Sequence, residues 1–534
     1  MVESEHGEAL EDTERLQGRG ALVNNVKAAS ALAGAIRSTL GPKGLNKMLV
    51  EADGSSIVTN DGVTVLENAN VEHPTAKMLI QASSSQDRAA RDGTTTTIIL
   101  ASEMLQNAME LVSMGVHPSV IVNGYSIALS EAIEEAKRIA RAPGKTGMGL
   151  AVRTALEGKG DTRTCDFFAK LAMGAAERLA QEGGGEDFER LRVKRIQVSE
   201  GEILDSELVD GLILPKSRVD IHMPDSINGG LVAILDGELE QRSLEISASI
   251  EIDSPGALSA FHEKKIENLR SQIGHLAKLG VGLLVVRDGI ADEAINMLTS
   301  HGITAYRRFE RPDLELLSVI TGAKISRNIM EISPNDLGDF SNHFERRISD
   351  VKHTIIEGSK GTGMTVIVRG TSKTIREEGI RIFDDGLGVA HRLIRNPDVL
   401  PGGGASYAHL SRYLRSFALS CANREQLAIE AFASALESIP RVLAENSGRD
   451  PVDVLLSLSA EQNENGPGIG FDLKLCKSGD MWEAGILDSL FVVTSSLSGA
   501  SEAAISVLRI DDILWAKTEI GTPDWNNELG DNQD

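Results

Sequence analysis

Apolar positions recur at spacings of three and four in several long stretches. Leu22, Val26, Ala29, Ala33, Ile36 and Leu40 trace one helix face, and Ile98, Ala101, Leu105, Ala108 and Val112 trace another. The first helix is expected to stop at Gly41-Pro42, and the second opens on Thr94 to Thr97. Helical patterning runs on through Gly115 and again from Pro118 to Arg141, where Pro143-Gly144 breaks it. Between these helices, Ser56 to Thr59 and Val63 to Leu66 flank Asn60-Asp61-Gly62, which predicts a hairpin with Asp-Gly as its turn. The polar residues 1 to 19 predict a solvated arm, with order beginning near Ala21.

The middle of the chain has a different character. Residues 146 to 212 are mainly helical, with a glycine-rich interruption at Gly183 to Gly185 and strand-like pieces beyond it. From Gly211 short apolar runs (232 to 236, 282 to 286, Ile303 to Tyr306) alternate with helical stretches, an α/β pattern. Ser254-Pro255 starts a long helical run carrying Ile266, Leu269, Ile273 and Leu276, a stripe of the kind that usually packs as core. Met364 to Gly370 predicts a buried strand, and the amphipathic helix after it carries Asp384 and Asp385. A loop at Pro401 to Gly404 follows, then helices up to the segment 509 to 514, and the last fourteen residues are polar and expected to fray. The order helical, connector, α/β, connector, helical predicts one discontinuous outer domain with the α/β part inserted.

A chain of 534 residues is too long for one core, and with 41% hydrophobic and 25% charged residues it is expected to fold into two to four soluble domains. Its 78 acidic against 54 basic residues give a net charge of −24, which argues against nucleic acid or an anionic membrane as partner. The three cysteines, Cys165, Cys421 and Cys476, are far apart and form no metal or disulfide pattern. The acidic N-terminus has no secretory core and no apolar run approaches the roughly 18 residues of a membrane span, so a cytoplasmic location is expected.

The stretch from Gln86 to Thr97, QDRAARDGTTTT, carries the most suggestive chemistry. Unpaired N–H groups at a helix start, threonine hydroxyls and a glycine that lets the backbone approach closely suit a phosphate, with Asp92 holding a metal. The same residues also suit an ordinary capped helix. Likewise LGPKGLNKML places backbone and Lys43 and Lys47 where an anion could sit, or simply ends a helix ahead of solvated lysines.

Taken in order, LGPKGLNKML, VTNDGVTVL, VEHPTAKMLI, QDRAARDGTTTT, GVHPSVIVNGY, MPDSI, FDDGL, PGGGA, NSGRDPVDVL and EAAISVLRIDD resemble the signature blocks of the group II chaperonins, the thermosome and CCT type, over residues 20 to 516. That resemblance implies a multidomain α+β chaperonin fold. A mainly helical equatorial domain would take 1–145 and 400–534, a small intermediate domain 146–212 and 367–399, and an inserted α/β apical domain 213–366, with a helical lid protrusion near 250–280. It further implies a double ring, built as a homo-oligomer or with related subunits, that encloses unfolded or partly folded polypeptides and is driven by ATP and Mg²⁺. By position, Leu40, Gly41 and Pro42 match the turn beside the nucleotide phosphates, and Asp61 and Asp92 match carboxylates at the Mg²⁺ end, Asp61 also with a catalytic part. Gly93, Thr94, Thr95 and Thr96 match the phosphate loop, and Gly403 and Asp488 match nucleoside contacts. Asp385 matches the carboxylate that positions the attacking water, reaching it when its domain swings down.

Several positions depart from the family pattern: Arg91 stands for a glycine, Tyr407 for a glutamate, Val493 for a lysine and Ser495 for a glutamine, and a Gly-Met-rich tail is missing. Arg91 is expected to strain the turn or crowd the metal, with a phosphate contact or a bland pair with Asp87 as the alternatives. The leading reading is an ATPase that folds proteins. The alternative is a divergent structural subunit of a mixed ring that turns over little ATP. A phosphate-binding metabolic enzyme ranks last, because no nucleophile–base pair accompanies the loops.

Overall fold

The computed structural model describes residues 13–50, 56–69, 71–180, 192–240, 255–361 and 363–516. The chain forms two compact units, one from residues 1–142 with 398–534, the other from 143–397.

The first unit is built around the helix Thr94–Ser113, in which Ile98, Leu100, Ala101, Met104, Leu105 and Ala108 are fully buried. Every residue from Thr94 to Ser102 is buried, which marks it as a central helix, wrapped by Arg19–Ile36, Pro74–Ala90, Glu425–Leu436 and Leu490–Leu508. The last of these is long and apolar enough by length and composition to cross a membrane, which the expectation of no such run overlooked. Here it packs Val492, Val493, Leu497, Ala500, Ala504 and Val507 into the core.

Two expectations fail in this unit, each because the deciding partner is distant or polar. Val63 to Leu66 are not a hairpin arm: Gly62–Glu67 is a helix, since Asp61 accepts from the Thr64 N–H at 2.9 Å and caps it. The strand Ser56–Thr59 pairs instead with Lys47–Val50, Lys47 opposite Thr59. Within the expected solvated arm, Thr13–Gln17 is a strand that pairs antiparallel with Asp512–Ala516. The last helix ends at Leu508, directly before the segment 509 to 514, which enters the strand at Asp512.

The second unit contains two sheets. A three-stranded sheet, in the order Val193–Val198, Met364–Arg369, Glu207–Asp210, lies with the helices Gly144–Leu156, Thr162–Ala180 and Lys373–Arg395. The other is an eight-stranded mixed sheet whose parallel strands Thr304–Tyr306, Val281–Val286 and Gly230–Leu235 continue into the antiparallel pair Gly338–Ile348 and Val351–Gly358. The parallel strands read as nearly continuous apolar runs because both faces are covered. The long helix Pro255–Lys278 starts where the Ser254-Pro255 signal puts it, and its Leu269, Ile273 and Leu276 are buried in this unit's core. That part of the stripe is packing surface rather than an exposed face. The glycine interruption at 183–185 and the last fourteen residues lie outside the described residues.

A buried polar network crosses the larger sheet. The His343 ring nitrogen Nε2 meets the Tyr306 hydroxyl at 2.8 Å, Tyr306 donates to Glu345 at 3.2 Å, and Arg218 pairs with Glu345 at 2.8 Å. Burial pushes His343 down to about 4, with Arg218 acting the same way and the Glu345 and Asp225 carboxylates opposing it. A histidine whose folded value lies below its unfolded one contributes stability that is complete above pH 6.5 and drains away as pH falls toward 4. The loss attributable to it is on the order of 3 kcal/mol across that window. His343→Gln keeps a partner for Tyr306 without a titrating ring, so urea midpoints at pH 7 and pH 5 are expected to differ less in the variant than in the parent. An equal pH decrement in both would reject the assignment.

Candidate functional site

The helix Pro74–Ala90 ends on Arg91, whose backbone is left-handed at φ 57°. Glycine usually takes this position because a Cβ there costs roughly 1 kcal/mol. The Arg91 guanidinium turns back onto Asp87 at 3.2 Å. The arrangement is thus the expected backbone strain combined with the bland pairing, and the cation is occupied by Asp87.

Two residues on, Gly93 is also left-handed at φ 79° and caps the threonine helix. Its Cα is pressed so closely against Leu490–Leu508 that a Cβ would lie 2.4 Å from the Ser496 hydroxyl. Asp92 accepts the Gly93 N–H on Oδ1 at 2.8 Å. Thr97 bonds back to the Gly93 carbonyl through both its N–H and its hydroxyl. Thr94, Thr95 and Thr96 are nearly buried, at 8%, 8% and 9% exposure, yet their hydroxyls have no hydrogen-bond partner among the described residues. The start of this helix accordingly offers free N–H groups and free hydroxyls together.

The structure brings the Asp61 loop to the same place. A Cβ on Gly62 would sit 2.5 Å from the Thr95 hydroxyl and 3.6 Å from that of Thr94, so two helix N-termini meet there. The cap leaves Asp61 with one oxygen engaged by Thr64, at 2.9 Å from its N–H and 2.7 Å from its hydroxyl.

On another side lies the glycine loop. Val399–Pro401 pairs with Leu487–Ser489, which sets Asp488 opposite Leu400, and a Cβ on Gly402 would be 3.2 Å from the Asp488 carboxylate. Gly403, at φ 60°, fits under the Phe471 carbonyl and the Met481 sulfur with no room for a side chain. Burial raises Asp488 to about 7, and the charge of Asp92 adds to the effect. Tyr407, in the first turn of the following helix Ala405–Ala418, is raised by burial and then by Asp488 and Asp92. Asp92, Asp488 and Tyr407 thus share one electrostatic field, to which the phenol at 407 adds no third carboxylate.

Leu40, Gly41 and Pro42 form a turn clamped on the helix Ser438–Asn446: Asn446 donates to the Leu40 carbonyl at 2.9 Å, and a Cβ on left-handed Gly41 would lie 2.5 Å from Leu443. Arg37, just before the turn, meets Glu103 of the threonine helix at 3.4 Å.

Asp385 belongs to the second unit. It pairs with Lys159 at 2.6 Å, while Asp384 pairs with Arg195 at 2.7 Å, so both neighbouring carboxylates have cationic partners. Lys159 carried no sequence signal, and neither did Gln86 or Ser496, which hold the Asp92 loop. Among the described residues no cluster of three or more His, Cys, Asp or Glu makes a protein-only metal site. A divalent ion fits such a place when one or two carboxylates and phosphate oxygens share it, which is how Mg²⁺ is commonly held. The three cysteines are free.

A family model described as TCP-1/cpn60 chaperonin family matches residues 32–518. The chain is 38% identical over 510 residues to the thermosome subunit alpha of Thermoplasma acidophilum, covering 95% of this chain and 94% of that one. It is 38% identical over 514 residues to the thermosome subunit beta of Archaeoglobus fulgidus, covering 95% and 94%. Against a thermosome subunit of Pyrococcus horikoshii the identity is 37% over 513 residues, covering 95% and 93%.

Proposed function

The chain belongs to the TCP-1/cpn60 chaperonin family as a group II subunit, and from that premise we propose that it is an ATP-dependent chaperone subunit that assembles into a double ring and encloses unfolded polypeptides. The reading rests on the gathering of Asp61, Asp92, the uncapped start of the threonine helix and Asp488 in one unit. Adjacent carboxylates repel unless a cation neutralises them, and free N–H groups with free hydroxyls call for an anion. A nucleoside triphosphate with Mg²⁺ supplies both.

In this proposal the N–H groups of Thr94 to Thr96 and the threonine hydroxyls bind phosphate oxygens, and Leu40 to Pro42 wall the phosphate end. Asp92 and Asp61 hold the ion, which when bound neutralises phosphate charge. The tight Gly402–Gly403 backbone and Asp488 take the nucleoside. Asp385 orients the attacking water and accepts its proton, once Lys159 releases it. Its place in the other unit of the chain would tie hydrolysis to domain movement. The remaining parts of the proposal are the three-domain division with a lid near 250–280, a cytoplasmic location, and rings made of this chain alone or with related subunits.

The alternative, a structural subunit with little turnover, draws on Arg91 and Tyr407, which put a strained turn and a bulky phenol where the family has glycine and glutamate. ATP turnover by the purified chain, measured with its native mass, tests the proposal. Ring-sized particles whose phosphate release is abolished by EDTA and restored by Mg²⁺ are the expected result. Rings without metal-dependent release would favour the structural subunit.

A further inference from the structure

Gln86 is 3% exposed, and its side-chain amide is used at both ends. Its nitrogen donates to the Asp92 carbonyl at 2.9 Å and to the Val492 carbonyl at 3.4 Å, and its oxygen accepts from the Ser495 hydroxyl at 2.7 Å. Ser496 adds a bond to the Gly93 carbonyl at 3.4 Å. Helix Pro74–Ala90 and helix Leu490–Leu508 thereby grip the short loop between them through side chains.

We infer that Gln86 is a positioning residue for the nucleotide site, locking the Asp92–Gly93 peptide so that the Asp92 carboxylate faces the metal-bound nucleotide. The inference rests on the function proposed above for Asp92. Its geometry follows from peptide planarity: the Asp92 carbonyl and the Gly93 N–H belong to one rigid unit and point in opposite directions. Holding the carbonyl with Gln86 therefore aims the N–H, and that N–H is the group that grips Asp92 Oδ1 at 2.8 Å. Two rigid steps thus connect a buried amide to the carboxylate. The lock is needed at this peptide because Gly93, at φ 79°, has no Cβ to oppose a peptide flip, and Arg91, at φ 57°, already departs from the favoured backbone. Ser495 fits the same account. Its hydroxyl orients the Gln86 oxygen so that the amide nitrogen faces the loop.

The alternative is a polar side chain that merely satisfies buried backbone groups, which would affect stability and nothing else. Gln86→Met keeps the length and removes both donors. Two measurements on the full chain separate the cases: hydrogen exchange of the Gly93 amide without nucleotide, and binding of a fluorescent ADP analogue with Mg²⁺ and in EDTA. Faster exchange at Gly93, with Mg²⁺-dependent affinity weakened about tenfold to a hundredfold and affinity in EDTA within about threefold, is expected, as for other residues that orient metal ligands. Unchanged exchange, or an equal loss with and without Mg²⁺, overturns the inference. Should Gln86→Met fail to fold, Ser495→Ala is read the same way, with a Mg²⁺-dependent loss of about tenfold expected and a change within about threefold counting against the inference. A parent chain that binds no Mg²⁺-nucleotide would sink the functional reading of Asp92, while the exchange data would still decide the lock.

Discussion

Asp385→Ala is expected to lower steady-state ATP turnover by about 10²- to 10⁴-fold, the usual worth of a positioned acid or base, while ATP affinity stays within about threefold. A group that orients water and takes its proton acts mainly in the transition state, so its loss appears in kcat rather than in binding. The neighbouring carboxylate offers no rescue. Asp384 is held by Arg195 at 2.7 Å, and freeing it means breaking that charged pair. Removing Asp385 also releases the Lys159 ammonium from its 2.6 Å partner, so a thermal melt should accompany the kinetics to confirm that the fold is kept. Turnover near the parent rate would show the assignment to be wrong and make Asp384→Ala the next variant.

Gly93→Ala is expected to weaken Mg²⁺-nucleotide binding by about a hundredfold, the scale of loss from misplacing binding groups by about 1 Å. The backbone there is left-handed at φ 79°, where alanine costs roughly 1–2 kcal/mol. Space is the larger difficulty. The new Cβ would lie 2.4 Å from Ser496 Oγ, 3.1 Å from Gln86 Nε2 and 3.1 Å from Val492 Cγ1. The Ser496 hydroxyl can rotate, but Val492 and the Gln86 amide are packed, so the loop must lift off helix Leu490–Leu508. Lifting it displaces Asp92 and the first N–H groups of the threonine helix together. A nucleotide titration, with far-UV circular dichroism to confirm folding, checks the result, and Gly93→Ala/Ser496→Gly should recover part of the loss. Affinity within threefold of the parent would mean that the loop is not where nucleotide binds.

The neighbouring departure has a milder character. Arg91 takes its left-handed backbone in the resting structure and its charge is turned onto Asp87. The strain therefore bears on stability, whereas an obstruction of the metal site would require the guanidinium to leave Asp87.

Much of the helical layout was legible from local rules. The seams through Leu22 and Ile98 and the proline starts at Pro118 and Pro255 appear where spacing and capping place them, whereas the first helix ends at Ile36 and a 3-10 turn takes Arg37–Thr39, short of the stop expected at Gly41. The Asp61 segment misled because Asp-Gly between β-prone residues carries the same signal as a hairpin turn, and only the Thr64 cap decides for a helix. The membership in a chaperonin family was legible because ten blocks in order are far more specific than any one loop.

By itself the sequence determined the elements whose causes lie within a few residues: helix faces, glycine turns, and the acidic and threonine-rich loops that could hold a nucleotide. Only the tertiary structure decided what each loop rests on. The terminal strands Thr13–Gln17 and Asp512–Ala516 find each other from opposite ends of the chain. Gln86 reaches Val492 across 406 residues, and Lys159 reaches Asp385 across 226. Such contacts leave no periodic trace, because a hydrogen bond or ion pair depends on where two backbones meet in space and not on what surrounds either residue in sequence.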